Sequence, residues 1–135
     1  MIAIRIIVWV ARVAGVGALL LGLSFWIAQI DLISIHMLLG ISLALSMIVL
    51  GIIMLFMREM RILGASTIVY ALILPVFGLT QSRLLIGDLH WLIQTAHLLV
   101  GLGALALVQW IYTRYQRLRQ ETAGKAETRT TVSIK

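Results

Sequence analysis

The fold class that this sequence predicts is an all-α integral membrane protein, a four-helix bundle made of two parallel two-helix repeats. Three observations predict it. Hydrophobic residues fill 61% of the 135 positions, charged residues only 12%, and the mean hydropathy is +1.07, far too apolar for a soluble domain of this length. Four apolar runs, roughly 6–30, 34–57, 62–81 and 89–112, are each long enough for a hydrocarbon core that takes about 20 residues to cross. Finally, Ser34-Ile35-His36-Met37-Leu38-Leu39-Gly40 returns in the second half as Thr95-Ala96-His97-Leu98-Leu99-Val100-Gly101.

The first run follows a positive start and resembles a signal peptide, but it is too long and lacks an Ala-x-Ala-like cleavage context after Trp26. It is therefore expected to be retained as a helix. The second run needs no special pleading. The third contains Pro75, whose kink is tolerable in a membrane because neighbouring groups re-satisfy the backbone. The fourth ends near Tyr112, and the four together occupy a transmembrane domain over 1–119. From Gln120 to Lys135 the chain reads as a short polar tail, expected to be disordered and cytoplasmic. There is no cysteine, which excludes disulfides, thiolate-held iron–sulfur clusters and covalent c-type haem.

Threading four helices puts Arg5, Arg12, Arg58, Arg61, Arg114, Arg117, Arg119, Lys125, Arg129 and Lys135 on one side and leaves Arg83 alone on the other. By the positive-inside rule both termini are cytoplasmic, with Asp31 and Asp88 in the outer loops. Trp26 and Trp91 mark the outer interface, and Trp9, Trp110, Tyr112 and Tyr115 the inner one. Arg12 lies deeper, seven residues after Arg5 on the same face, and snorkels inward. The net charge of +6 reflects this topology and contact with anionic headgroups, so no nucleic-acid partner is needed.

The echo extends upstream. Arg5 matches Arg61 and Gly22-Leu23-Ser24 matches Gly78-Leu79-Thr80, with about five extra residues entering the second copy before its histidine. Because each copy holds two helices, the copies share one orientation about an axis along the membrane normal, and the second and fourth helices run parallel. His36 precedes Arg58 by 22 residues, as His97 precedes Arg119. At 1.5 Å per residue both lie about 33 Å from the inner cationic edge, near the outer boundary.

Ionisable residues in membrane helices are costly and usually mark function, and neutral imidazole suits transition metals and haem iron. His36 and His97 are thus expected to bind one haem b iron from opposite faces. Gly40 and Gly101, at i+4 on the same helix faces, leave room for a flat macrocycle. Taken alone, these glycines are better read as small residues for close helix packing, like Ala14, Ala18 and Gly22. His90 is a competing ligand seven residues before His97. It is a rival partner for His36, a ligand for a second haem completed by another subunit, an edge proton carrier, or an ordinary loop-end histidine beside Asp88 and Trp91. Arg83 suits haem propionates through bidentate contacts, or serves as a headgroup anchor. Gln94 and Thr95 are positioned to bond an imidazole, a small ligand or backbone.

Four helices bearing histidines with His-x-x-x-Gly spacing resemble the membrane b-type cytochromes, in particular the bacterial cytochrome b561-like group, over roughly residues 6–112. That resemblance implies a bacterial inner-membrane protein holding b haems, passing electrons and exchanging them with quinone. On this chain it carries over to His36 and His97 as one pair. No histidine lies toward the cytoplasmic side to support a second, inner haem.

The sequence therefore predicts a membrane electron-transfer protein with six-coordinate iron, working with an electron donor and acceptor it does not identify. A homodimer or a place in a larger complex is open. Quinone-coupled oxidation of a small reductant is open too, although no acid–base or nucleophile constellation stands out. The competing readings are a cofactor-free structural subunit of a larger membrane complex and a small transporter. The transporter would want a mid-bundle charge, where this chain has only Ser46 and Tyr70.

Overall fold

The computed structural model describes residues 2–84, 87 and 89–133, with side chains except at 82 and 126–133. It contains four long helices: α1 (Ile2–Ala28), α2 (Ile33–Leu55), α3 (Arg61–Thr80) and α4 (His90–Ser133). Each has a stretch long and apolar enough to cross a membrane. In lipid a spanning segment must satisfy its own backbone groups, and a helix does so without partners. Their exposed surface is correspondingly apolar, from Trp9 and Leu20 on α1 to Ile62 on α3 and Leu99 on α4.

The connections are short and closed by backbone bonds. α1 ends at Gln29, whose φ of 54° lies in the left-handed region and whose N–H donates to the Phe25 carbonyl at 3.1 Å, a helix-terminating arrangement. The Asp31 carboxylate accepts from the Ile33 N–H at 3.4 Å as α2 begins. Between α2 and α3 the chain makes one 3-10 turn over Arg58–Met60, and the Arg61 Nε donates to the Leu55 carbonyl at 3.2 Å, placing a cation on the free C-terminal carbonyls of α2. A second 3-10 turn covers Gln81–Arg83. Gly87, with φ of 101°, leads into α4, and its carbonyl accepts from the His90 N–H at 3.0 Å.

The bundle thus has a terminal end, carrying the start of α1, the α2–α3 connection and the extension of α4, and a loop end carrying the other two connections. α2 packs along both α1 and α3, while α4 closes the bundle against α1 more than α3. The α2–α3 crossing is tight because two glycines meet there: a Cβ on Gly64 would stand 2.7 Å from the Gly51 carbonyl oxygen. Leu105 of α4 lies over Gly15 of α1, and the Tyr70 hydroxyl reaches past Gly103 to donate to the Val100 carbonyl at 2.9 Å.

Observed helix bounds differ from the expected runs by a few residues at most ends. The exception is α4, which is 44 residues long and continues through the polar stretch from 120 to Ser133 as helix. At 1.5 Å per residue it is about 66 Å long, twice the hydrocarbon thickness. Half of the residues from 120 to 133 are good helix formers (Gln120, Glu121, Ala123, Lys125, Ala126, Glu127 and Arg129), and Tyr115 and Leu118, just before them, pack against the core.

The close-packed core occupies the terminal half. Val8 and Ala11 of α1, Met47, Leu50 and Met54 of α2, Met60, Ala71 of α3, and Ala104, Val108 and Ile111 of α4 are fully buried there. Toward the loop end, past Ala18, Leu43, Leu74 and Ala104, Ile93 is the one buried residue among the described residues. The half of the bundle that contains the histidines is the loosely packed one.

Candidate functional site: a facing histidine pair

His36 sits in the first turns of α2 and His97 two turns into α4, and both are half-buried. They come from helices that are not sequence neighbours in the bundle, yet their ring centroids are 6.1 Å apart with planes inclined by 55°. The Phe77 ring of α3 stacks on His97 at 5.8 Å and 25°.

Each imidazole is seated on a glycine of the preceding helix. A Cβ on Gly22 would lie 3.2 Å from the His36 Cε1, and one on Gly78 would lie 3.4 Å from the His97 Cε1. These two seats were matched in the sequence, within Gly22-Leu23-Ser24 and Gly78-Leu79-Thr80, but nothing local marked them as histidine seats. That role, like the Phe77 stack, requires knowing which helices touch. The signal was the repeat itself.

The hydrogen bonding of the pair is asymmetric. His36 Nδ1 lies 2.8 Å from the Ala18 carbonyl, which can only accept, so Nδ1 carries the proton and Nε2 keeps its lone pair. This is the usual outer arrangement of a metal-ligating histidine, in which one ring N–H bonds to a carbonyl and fixes the ring while the other nitrogen is the donor atom. His97 Nδ1 is buried without a hydrogen-bond partner.

The donor set narrows what such a pair could hold. Among the described residues no three His, Cys, Asp or Glu side chains cluster for a metal ion. Two imidazoles fall short of the four ligands of a protein-only zinc site, but two axial ligands are all that a metal already held in a macrocycle requires. An imidazole–metal bond of about 2 Å puts each ring centre about 3 Å from the metal, so opposed rings stand about 6 Å apart. The observed separation fits that spacing.

The other expected residues divide. A Cβ at Gly40 or Gly101 would meet nothing within 4 Å, so neither glycine is needed for close helix packing and both leave open space on the histidine faces. His90 is the first residue of α4, and its Nδ1 lies 3.4 Å from the Leu84 carbonyl, which it serves as a loop-closing donor. Arg83 is exposed at the same end, in the turn before the loop. The Thr95 hydroxyl donates to the Trp91 carbonyl at 2.9 Å, taking the backbone role among its options. Asp88 lies outside the described residues.

No known protein family, curated protein or solved structure matches the chain. What the fold itself defines is an all-α protein of four helices, each able to span a membrane and packed as a bundle, which places the chain among integral membrane proteins.

Proposed function

We propose that this protein is a membrane haem b protein for electron transfer, whose iron His36 and His97 would hold. The observation that carries this reading is the facing imidazole pair at 6.1 Å, with His36 Nδ1 tied to a carbonyl so that Nε2 is the donor atom. Haem, when bound, supplies one-electron redox chemistry. The protein's part is to hold the two rings on their glycine seats and to surround them with apolar side chains of the loop half. Two histidines on one iron would favour electron carriage over binding of a third molecule. Gly40 and Gly101 provide clearance for the macrocycle, and Arg83 is the cation at that end suited to its propionates.

The two-hairpin organisation belongs to the same proposal. An offset of 56 residues takes Gly22 to Gly78, and it also takes the buried Ile4, Val8, Ala11, Gly15 and Ala18 to the buried Met60, Gly64, Thr67, Ala71 and Leu74. An offset of 61 takes His36 to His97, and it takes Leu43, Met47 and Leu50 to Ala104, Val108 and Ile111, again buried at both positions. This agreement supports two like hairpins presenting one imidazole each. The arginine bias supports cytoplasmic termini, with the histidines in the outer half of a bacterial inner membrane.

The test is the absorption spectrum of purified protein with pyridine-haemochrome quantitation. Sharp reduced α and β bands of low-spin haem b are expected, lost in His36→Ala and in His97→Ala while both variants still insert in membranes. Colourless wild-type protein from haem-replete cells, or low-spin spectra kept by both variants, would overturn the assignment.

A further inference from the structure

We propose that Arg12, Gln109 and Tyr112 form a binding site for the phosphate of an anionic phospholipid in the leaflet at the terminal end of the bundle. The site is remote from the histidine pair and does not depend on it. Arg12 is within the spanning part of α1, and its guanidinium faces α4: one terminal NH2 donates to the Gln109 Oε1, and the guanidinium carbon lies 5.2 Å from the Tyr112 ring centroid and 6.0 Å from that of Trp9. A neutral amide and two aromatic faces hold this cation in place without cancelling its charge.

Among the described residues, no acidic side chain lies on α1 or on α4 at this depth. The five in the chain are Asp31, Glu59, Asp88, Glu121 and Glu127. Asp31 belongs to the loop end, Glu59 to the α2–α3 connection, and Glu121 lies 12 residues beyond Gln109 on α4, about 18 Å along the axis; Glu127 follows six residues later in the chain, and Asp88 is outside the described residues. A charge in a membrane helix that its own chain leaves uncompensated is expensive. The bilayer supplies an anion at this level, the lipid phosphate, and a guanidinium with five donors in a planar fork matches two phosphate oxygens at once. Trp9 is exposed to lipid beside Arg12, and Arg5, one heptad earlier on the same face of α1, is exposed nearer the surface. With further arginines crowding this end, the local field favours headgroups of net negative charge over zwitterionic ones.

Native mass spectrometry of the detergent-purified protein, titrated separately with phosphatidylglycerol, phosphatidylcholine and inorganic phosphate, tests the site. Wild type should retain phosphatidylglycerol in preference to the other two. Arg12→Gln should lower that retention about fivefold, the factor that one cation near the surface contributes to anionic lipid binding. Arg58→Gln removes the same charge at the same end but away from Gln109 and Tyr112, and should lower retention by much less. Equal retention by wild type and Arg12→Gln, equal loss in Arg58→Gln, equal retention of phosphatidylcholine, or displacement by inorganic phosphate would each overturn the proposal. Should Arg12→Gln not fold, the wild-type protein still decides. Brominated phosphatidylglycerol should quench Trp9, read as the fluorescence difference from Trp9→Phe, and equal quenching by brominated phosphatidylcholine would refute the site.

Discussion

His36 packs against Gly22 so closely that a methyl group on that glycine would stand 3.2 Å from the imidazole Cε1, while the same ring is held by a 2.8 Å hydrogen bond to the Ala18 carbonyl. The ring is fixed from two directions by one face of α1, with little room to move. Its counterpart, His97 over Gly78, has slightly more space at 3.4 Å and no hydrogen bond on Nδ1. The two imidazoles are therefore unequally constrained. The difference is open to measurement.

At Gly22 an alanine requires the His36 ring to shift by a few tenths of an ångström against its hydrogen bond, whereas at Gly78 it makes ordinary van der Waals contact. Gly22→Ala is expected to reduce haem content per protein and to alter the low-spin spectrum. Gly78→Ala should retain full haem and gain helix stability of up to about 1 kcal/mol, the difference in helix propensity between the two residues. Pyridine-haemochrome assays and thermal unfolding in detergent read both effects, and the opposite ranking would mean that the glycine seats do not govern the rings.

His90 offers a second discrimination. Its ring closes the loop to Leu84 at the start of α4, two turns from His97. His90→Ala is expected to keep six-coordinate haem and to change at most the potential or the rate of exchange with a donor at the loop end. A high-spin, five-coordinate spectrum in His90→Ala, with His97→Ala still low-spin, would transfer the ligand role to His90.

The α2–α3 crossing should be intolerant of any side chain. With a Cβ on Gly64 at 2.7 Å from the Gly51 carbonyl oxygen and 2.9 Å from the Leu55 nitrogen, the obstacles are backbone atoms that cannot rotate away. Gly64→Ala is expected to destabilise the bundle by about 1–3 kcal/mol, the range for overpacking, and Gly64→Val by more. Unfolding midpoints in a denaturing detergent would show this. An unchanged midpoint for Gly64→Val would mean that the helices do not cross this closely in the membrane.

Topology is tested in a chain that lacks cysteine and so provides a clean background. A cysteine introduced at Ser34 should react with impermeant maleimide on intact spheroplasts, and one at Thr122 only after lysis. The reverse pattern would invert the orientation and move the proposed haem to the cytoplasmic side.

Much of the fold was legible along the chain because the rules that produce it are local. Bilayer thickness fixes span length, so hydropathy alone places four helices, and arginine counts divide the ends. The spacing of His36 and His97 from their arginines put them at one depth because helical rise is constant. The extension of α4 was harder to read. Polar composition is compatible with both a solvated coil and a helix; Tyr115 and Leu118 tie to the core only the turns of α4 that precede the extension.

The sequence by itself determined the number of spans, the absence of thiol chemistry and which two histidines share a helical register with a following glycine. Only the tertiary structure decided that those two rings lie 6.1 Å apart, that Gly22 and Gly78 seat them, and that Arg12 turns toward Gln109 and Tyr112. The physical reason is that periodicity records where a side chain points around its own helix axis. Which neighbour it then meets depends on how four helices rotate and cross, and residue pairs far apart in the chain set those crossings, such as Gly51 with Gly64 and Gly15 with Leu105.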